Sequence, residues 1–283
     1  MRLGQLPWTE AADGIFLRSY DALDINICAI AGGDELVVVD SRSSPGEASE
    51  LLEDLGALAP PKVAALVNTH AHFDHTFGNQ VFAAVDLGGV PIYGHHRVPD
   101  HLAEYETPRL AAWRRGTGDE PPRDWDDVVI TPPTVLIVER TTLHVGTRPI
   151  ELIPLGPGHT DTDLVVHVPD ARTWIVGDVV EASGPPMFGS GCYPLQLPLA
   201  LERLLEEIEP GDTIIPGHGP IVERRFVEHQ LVEVTRLAAR IRAAYSEGLT
   251  ADEALSDQTG WPFPVENLRL AVTRSFDSLV VGE

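Results

Sequence analysis

This sequence lacks three features that would mark a membrane-spanning, secreted or disulfide-stabilised protein. No apolar run approaches the length of about 18 residues that a transmembrane helix needs. The N-terminal segment MRLGQLPWTE has no long apolar core of the kind found in secretory signals. The two cysteines, Cys28 and Cys192, lie far apart in the chain, which favours free thiols in a reducing compartment over a disulfide. These absences predict a cytoplasmic protein.

Basic residues are also scarce. Lys62 is the only lysine, and 20 lysine and arginine residues stand against 43 aspartates and glutamates, which gives a formal net charge of -23. A surface of that sign repels phosphate backbones and anionic lipid headgroups. We therefore expect a small-molecule substrate, with neither nucleic acid nor membrane as a partner. A homodimer stays open.

What the sequence does contain is a series of short β-rich runs that alternate with helical stretches. Runs such as Leu-Val-Val-Val are apolar throughout, which is typical of strands covered on both faces. Strands that alternate with helices predict a layered α/β body. The predicted strands include 36–39, 63–67, 90–93, 135–138, 150–153, 164–168, 174–176 and 213–215, and the predicted helices include 47–58, 75–85 and 199–208.

Two segments stand apart from this pattern. Residues 100–127 are rich in Arg, Asp, Glu, Pro and Trp, and we interpret them as an insertion that is partly helical and exposed. From about residue 223, apolar residues recur at helical spacing. The sequence therefore predicts a catalytic body at 1–222 and a helical extension at 223–283 that packs on it. Within the extension, Thr250 and Glu253 predict a capping box.

The segment richest in chemistry is His-Ala-His-Phe-Asp-His, which directly follows a predicted buried strand. It offers His70, His72, Asp74 and His75 as ligands within six residues. Imidazole nitrogens and carboxylate oxygens suit zinc, and also iron or manganese. Packing alone would not gather so many polar side chains at a strand end, because each of them must lose water. The segment therefore predicts a metal site.

Three later segments repeat the same design. His159, Asp178 and His218 each follow a glycine at the end of a predicted strand. Glycine at such a point permits tight turns and close approach of the backbone. Each segment alone carries little weight, but the three together, in this order after the first segment, predict one shared metal centre.

This order of motifs, HxHxDH, then GHT, GD and GHG, resembles the metallo-β-lactamase superfamily over about residues 14–222. Within it, the aspartate at the second site is similar to the glyoxalase II, lactonase and general hydrolase branches. The segment NTHAHFDHTFGN, the middle insertion and the tail that begins at Trp261 together resemble quinoprotein-relay-like hydrolases. The resemblance implies a four-layer αββα sandwich with a helical C-terminal extension, and a dinuclear site on strand-end loops. It further implies that His70, His72 and His159 bind the first metal, that Asp74, His75 and His218 bind the second, and that Asp178 bridges them.

The resemblance also implies roles beside metal binding. Asp40 matches the family's early aspartate and is expected to support the ligand loop by hydrogen bonding. Asp74 is expected to orient a metal-bound hydroxide and to carry its proton to the leaving group. Tyr193 is a candidate substrate contact, with packing of a surface loop as the equal alternative. His95 is expected at the surface, and His101 matches no ligand motif.

The expected function is that of a hydrolase with two divalent metal ions. Zinc is favoured, with iron or manganese as alternatives, and the expected substrate is a carboxylic ester, thioester, lactone or related acyl bond. One alternative is an iron-dependent oxidoreductase of the same fold, similar to the persulfide dioxygenases. Another is β-lactam hydrolysis as the main or a side activity. A metal-binding protein without turnover ranks last, because no ligand is missing.

Overall fold

The apolar runs assemble into two β-sheets that pack face to face. The computed structural model describes residues 7–21, 23–58, 62–84, 88–118 and 121–281. The strands are β1 (Thr9–Ala12), β2 (Ile15–Tyr20), β3 (Ile25–Gly32), β4 (Glu35–Val39), β5 (Lys62–Val67), β6 (Ile92–His95), β7 (Val135–Ile137), β8 (Thr141–Val145), β9 (Arg148–Pro154), β10 (Leu164–Val168), β11 (Thr173–Gly177) and β12 (Thr213–Pro216). The first sheet has the order β1-β2-β3-β4-β5-β6-β7 and the second the order β12-β11-β10-β9-β8.

Strand direction decides where the loops fall. In the first sheet, β1 to β4 pair antiparallel and β4 to β7 pair parallel. In the second sheet, β11 and β12 are parallel, and the other neighbours are antiparallel. Because parallel strands end at the same edge of a sheet, the loops after β4 and β5 lie together, and so do those after β11 and β12.

Helices cover the outer face of each sheet. Residues such as Val37 and Val166 form the core between the sheets. Leu51 and Leu66 belong to the core outside the first sheet, and Leu201 to the core outside the second. These layers confirm the predicted αββα sandwich. The helices of the described residues are α1 (Pro45–Leu55), α2 (Phe73–Thr76), α3 (Asn79–Phe82), α4 (Val98–His101), α5 (Thr107–Arg114), α6 (Leu197–Glu207), α7 (Arg224–Ser246), α8 (Ala251–Ser256) and α9 (Arg269–Val281).

The C-terminal helices continue the outer layer of the second sheet. Val227, Val234 and Ile241 on one face of α7 are fully buried in the same core as α6. At the start of α8, the predicted capping box between Thr250 and Glu253 is present. Within the described ranges, we find no helix that combines the length and apolar character required to cross a membrane.

The helix predicted over 75–85 is in fact two short helices, α2 and α3. Gly78 separates them, and a Cβ at Gly78 would overlap the carbonyl oxygen of Ser41. The Gly78 amide donates to the Arg42 carbonyl at 3.1 Å, so the loop after β4 interrupts the helix. Val85, the last residue of that predicted helix, lies outside the described residues.

The predicted insertion forms α4, a π-helical turn (Leu102–Glu106), α5 and an irregular segment before β7. The prediction that this insertion is exposed is wrong for its inner face. Trp125 is completely buried and packs with Leu110 and Phe77. The physical reason is that an indole ring buries a large apolar area, and Phe77, which follows the ligand segment, supplies a surface for it.

Candidate metal centre

The predicted ligands meet at one edge of the sandwich. They lie on the loops that follow β5, β9, β11 and β12. The two sheets are joined at this edge, because the Asn26 amide of β3 donates to the Gly217 carbonyl at 2.8 Å. A site shared by loops from both sheets is therefore held by backbone hydrogen bonds as well as by its side chains.

Three imidazole rings form the first cluster. Nδ1 of His72 lies 3.1 Å from Nε2 of His70 and 2.9 Å from Nε2 of His159. The rings are nearly perpendicular to one another, with interplanar angles of 83°, 90° and 87°. Three ring nitrogens that point at one spot match the three-histidine arrangement of catalytic zinc sites.

The second cluster combines a carboxylate with two imidazoles. Oδ2 of Asp74 lies 3.4 Å from Nε2 of His218 and 3.7 Å from Nε2 of His75. Asp178 lies between the two clusters. Its Oδ2 is 3.7 Å from Nε2 of His70 and 3.4 Å from Nε2 of His218. The structure thus brings together all seven side chains predicted as metal ligands, and it places Asp178 where a bridging ligand would lie.

The pKa values of the histidines shift in opposite directions in the two clusters. Burial lowers the pKa of His70, His72 and His159, and repulsion from neighbouring imidazoles adds to this. These rings are consequently neutral at neutral pH. A neutral imidazole has a free lone pair, which is the form that binds a metal.

In the second cluster, carboxylates reverse the effect. Burial lowers the pKa of His218, but the charge of Asp178 and hydrogen bonds to Asp178 and Asp74 raise it to about 12. The pKa of His75 is likewise well above its ordinary value, because Asp178 and Asp40 outweigh burial. Without a metal, both rings hold a proton that a bound ion would displace.

Hydrogen bonds from the other ring nitrogen fix the orientation of three of the imidazoles. Nδ1 of His75 donates to Oδ2 of Asp40 at 2.8 Å. Nδ1 of His218 donates to the Leu23 carbonyl at 2.7 Å, and Nε2 of His72 donates to the Ser190 carbonyl at 2.9 Å. Such bonds set which ring nitrogen faces a metal. Asp40 therefore lies where a residue supporting the ligand loop would lie. Its backbone is left-handed, with a φ of 68°.

Sequence reasoning missed Asp163, which holds the loop of His159. Its Oδ2 accepts from the His159 amide at 2.7 Å, and its Oδ1 accepts from the amide and hydroxyl of Thr160 at 2.9 and 2.7 Å. Thr162 continues this loop, since its hydroxyl accepts from the Ala71 amide at 3.0 Å. The polar run Thr-Asp-Thr-Asp after His159 is the signal that predicts such a network.

One glycine shows how closely the loops approach. A Cβ at Gly217 would overlap Oδ1 of Asp178. The glycine before His218 is therefore required by the Asp178 carboxylate, in addition to any requirement of the turn.

The clusters open onto a cavity of about 670 Å³, which His72, Asp74, His159, Asp178 and His218 all line. Tyr193 does not line it. That residue lines a separate cavity of about 300 Å³ beside Arg274 of α9. Tyr193 as a substrate contact therefore stays a prediction that this arrangement does not favour.

Two histidines that sequence reasoning set aside are buried. His95 is only 5% exposed, so its predicted surface position is wrong, because β6 carries it into the sheet. His101 is 2% exposed and lies beside His72, with ring centroids 5.8 Å apart. Its Nδ1 donates to Oδ1 of Asp161 at 2.8 Å. No motif identifies His101, because its partners come from distant segments.

The chemistry of the clusters fits divalent metal ions. Nε2 of His75 and Oδ1 of Asp178 are buried atoms that make no hydrogen bond. The two atoms lie 3.4 Å apart as an ion pair. Burying a nitrogen or a carboxylate oxygen without a hydrogen bond costs free energy, which a coordinated cation would offset. Nitrogen and carboxylate ligands in this number suit zinc, iron and manganese alike.

Comparison with known protein families and sequences adds to this geometry. The model of the Metallo-beta-lactamase superfamily matches residues 20–222. A metallo-beta-lactamase type 2 from Bacillus cereus is 24% identical over 232 residues, which are 81% of this chain and 80% of that protein. An acyl-coenzyme A thioesterase from Gallus gallus is 25% identical over 207 residues, 68% of this chain and 72% of that protein.

Solved structures share the fold at lower identity. A metallo-beta-lactamase from Pontibacter korlensis has a TM-score of 0.65 and 21% identity, over 82% of this chain and 99% of that one. The stereoselective inverting sec-alkylsulfatase Pisa1 from Pseudomonas sp. has a TM-score of 0.75 and 18% identity, over 95% of this chain and 50% of that one. The likeness to the second structure thus extends over more of this chain than the likeness to the first.

Proposed function

This chain belongs to the metallo-β-lactamase superfamily, and we propose that it is a dinuclear, zinc-dependent hydrolase of a carboxylic ester, thioester, lactone or related acyl bond. That the protein is a metallo-hydrolase of this superfamily follows from its relatives. The nuclearity, the metal and the acyl bond are the proposal. A cytoplasmic location and a homodimer stay predictions.

The observation that carries the proposal is the position of Asp178. Its carboxylate lies within 3.7 Å of Nε2 of His70 in the first cluster and within 3.4 Å of Nε2 of His218 in the second. A carboxylate in contact with both clusters supports two ions that share a ligand. Two closely spaced divalent ions supply Lewis acidity and lower the pKa of water towards neutrality.

Asp74 is the residue proposed to handle the proton. Its carboxylate lines the cavity and belongs to the second cluster. Burial raises the pKa of Asp74, but the neighbouring His75 and His218 outweigh burial and hold it well below its ordinary value. An ionised carboxylate at the cavity wall accepts a hydrogen bond from a nucleophile and orients it towards the substrate. As the nucleophile bonds to the acyl carbon, its proton would move to this carboxylate, and from there to the leaving group as the acyl bond breaks.

An acyl bond is proposed because of the chemistry that the relatives share. The thioesterase from Gallus gallus acts on an acyl-coenzyme A, and the relative from Bacillus cereus is named for β-lactams, which are cyclic amides. Both substrates contain a carbonyl carbon that a nucleophile attacks. A β-lactam as the main or side substrate of this chain is the alternative within the same reaction class.

An iron-dependent oxidoreductase is the alternative outside hydrolysis. Metal content separates it from the proposal, so we would measure metals by elemental analysis in protein purified without added metal or chelator. The proposal expects about two zinc ions per chain. About one iron per chain with little zinc would contradict it and favour the oxidoreductase. No metal, and none taken up on titration, would contradict the ligand assignment itself.

A substrate panel tests the reaction. The as-purified protein would be assayed against thioesters, lactones, carboxylic esters and β-lactams, with a secondary alkyl sulfate as the arm suggested by the sulfatase likeness. Asp74→Asn keeps the shape of the side chain but removes the charge, and we expect it to lower turnover by at least about 100-fold. Asp13→Asn is the matched control, because the Asp13 side chain is 93% exposed. A fully active Asp74→Asn variant would contradict the proton-handling role.

A further inference from the structure

Two arginines from the insertion lie beside the metal centre. Arg109 of α5 and Arg123 both line the cavity that the metal clusters open onto. Both also contact Phe73, which stands between the ligand residues His72 and Asp74 in the chain. The Cζ atoms of Arg109 and Arg123 lie 5.3 and 4.6 Å from the centre of the Phe73 ring. The shared ring places two guanidinium groups at the wall next to the ligands.

Arg109 is held in place by buried groups. Its Nε lies 3.0 Å from Oε2 of Glu106, a carboxylate whose side chain is completely buried in the π-helical turn. Its Nη2 donates to the Ser190 hydroxyl at 2.9 Å, and that hydroxyl donates to Oε1 of Glu106 at 2.8 Å. The carbonyl of the same Ser190 accepts from Nε2 of His72. Ser190 thus hydrogen-bonds both to Arg109 and to the proposed metal ligand His72.

Arg123 also contacts aromatic rings. Its Cζ lies 5.3 Å from the centre of the Trp125 ring and 4.6 Å from that of Phe73. The Trp125 and Phe73 rings themselves contact each other at 5.1 Å between centroids. Guanidinium groups stack on aromatic ring faces, and they also bind oxyanions.

The chemistry of this pair differs from that of the rest of the chain. The protein carries 20 lysine and arginine residues against 43 acidic residues, yet two of its arginines line the cavity. Among the described residues that line the cavity, Arg109 and Arg123 are the only arginines or lysines. Guanidinium groups bind carboxylate, sulfate and phosphate oxygens through paired hydrogen bonds.

We propose that Arg109 and Arg123 form a binding site for an anionic group of the substrate, a carboxylate, sulfate or phosphate, beside the bond that is cleaved. The inference deepens the proposed hydrolase function and depends on it, because the bound anion is taken to be part of the molecule that is hydrolysed. It narrows the substrate class from acyl compounds in general to acyl compounds that carry a negative charge close to the reacting carbonyl.

Binding is tested without turnover. Isothermal titration of the as-purified protein would use monomethyl glutarate, methyl sulfate and methyl phosphate, with dimethyl glutarate as the uncharged probe. We expect at least one anion to bind, the uncharged diester not to bind, and the best anion to identify the group. Arg123→Gln should weaken that binding by about tenfold, the range of a lost charged hydrogen bond. Undiminished binding in this variant would overturn the proposal, because an anion held by metal alone does not need Arg123.

The control and the second variant address folding. Arg236→Gln is the matched control, since that arginine is 58% exposed on α7 and pairs with Glu233. Removing Arg109 alone would leave the buried Glu106 without its counter-charge. The Glu106→Gln/Arg109→Gln double variant removes both charges together. It should weaken anion binding about as much as Arg123→Gln. A double variant that folds and binds as tightly as the parent would overturn the role of Arg109.

Kinetics test the connection to catalysis. Mono-p-nitrophenyl glutarate carries a negative charge, which its methyl ester replaces with a small uncharged group. We expect Arg123→Gln to raise KM about tenfold for the charged ester, with kcat and the constants for the methyl ester unchanged within about twofold. Equal losses on both esters would overturn the proposal. If the parent protein cleaves neither ester, the proposed acyl hydrolysis is in doubt, and the titration still decides whether the arginines bind an anion.

Discussion

The cavity has two walls that are built in different ways. The ligand wall consists of the loops after β5, β9, β11 and β12, and polar side chains hold it through hydrogen bonds from buried groups such as Asp40 and Asp163. The insertion wall consists of α4, α5 and the segment before β7, and an apolar cluster around Trp125 holds it. Polar contacts also join this wall to the rest of the protein, among them those of His101 with Asp161 and of Ser190 with Glu106.

The difference indicates that one wall holds the metal ligands and the other selects the substrate. A metal ligand must be held to within a fraction of an ångström, which directional hydrogen bonds achieve. A wall that selects a substrate needs shape and charge but can be exchanged without disturbing the ligands. We therefore expect substitutions on the ligand wall to change metal content. Substitutions on the insertion wall should change stability or KM while metal content stays constant.

The largest effect on metal binding is expected from Asp178→Ala. This carboxylate contacts both clusters and its removal leaves the imidazoles of the second cluster without their main counter-charge. Since loss of a group that merely supports a ligand costs about 10- to 100-fold in metal affinity, loss of this ligand should cost more than about 100-fold. Elemental analysis after dialysis measures it, with Asp13→Asn as control. Two ions retained per chain would contradict the bridging role.

A smaller effect is expected from Asp40→Asn. Asparagine tolerates the left-handed φ of 68° found here, so the backbone need not move. The amide, however, has one acceptor oxygen, whereas Asp40 accepts from His75 with Oδ2 and from the Thr69 amide with Oδ1. We expect metal affinity at the second cluster to fall by about 10- to 100-fold, with the first cluster retained. Zinc competition with a chromogenic chelator measures both sites, and equal loss at both would argue against this arrangement.

The side chains that the sequence singles out as ligands lie together on the ligand wall. Metal chemistry restricts ligands to a few residue types, and glycines mark the strand ends, so His70 and His218 stand out without a structure. Residues such as His101 and Glu106 could not be found this way. Their partners, Asp161 and Ser190, are 60 and 84 residues away in the chain, and only the tertiary fold brings them together.

The same contrast applies to the fold. The predicted strands at 63–67 and 164–168 match β5 and β10, because continuous apolar runs reflect burial on both faces. The strand β2, with Arg18 and Ser19 in its sequence, was not among the predicted strands. The polar pairs explain this: Arg18 is buried against Asp54, and Ser19 donates to Asn26. Such pairing cannot be deduced from periodicity alone.

Metal binding at the two clusters should respond differently to a fall in pH. The pKa values of His75 and His218 are raised, so a metal ion that binds the second cluster would have to displace protons at neutral pH. The pKa values of His70 and His159 are lowered, so these rings are neutral until the solution is more acidic. Each displaced proton lowers apparent affinity about tenfold per pH unit below the pKa. Dialysis against buffered zinc from about pH 8 to about pH 6 should therefore remove the ion of the second cluster before that of the first. Simultaneous loss of both ions would contradict the difference.

The smallest effect on metal content is expected on the insertion wall, from Trp125→Ala. This indole is fully buried among Phe73, Phe77 and Trp113, so its removal leaves a cavity that should cost about 3–5 kcal/mol of unfolding free energy. Urea denaturation measures that cost. Trp113→Ala is the control, because Trp113 is only partly buried and should cost less. Because no ligand depends on the indole, about two ions per chain should remain in the folded variant. If Trp125→Ala instead lost metal as Asp40→Asn does, the two walls would be one cooperative unit, and the insertion would have to be counted as part of the metal site.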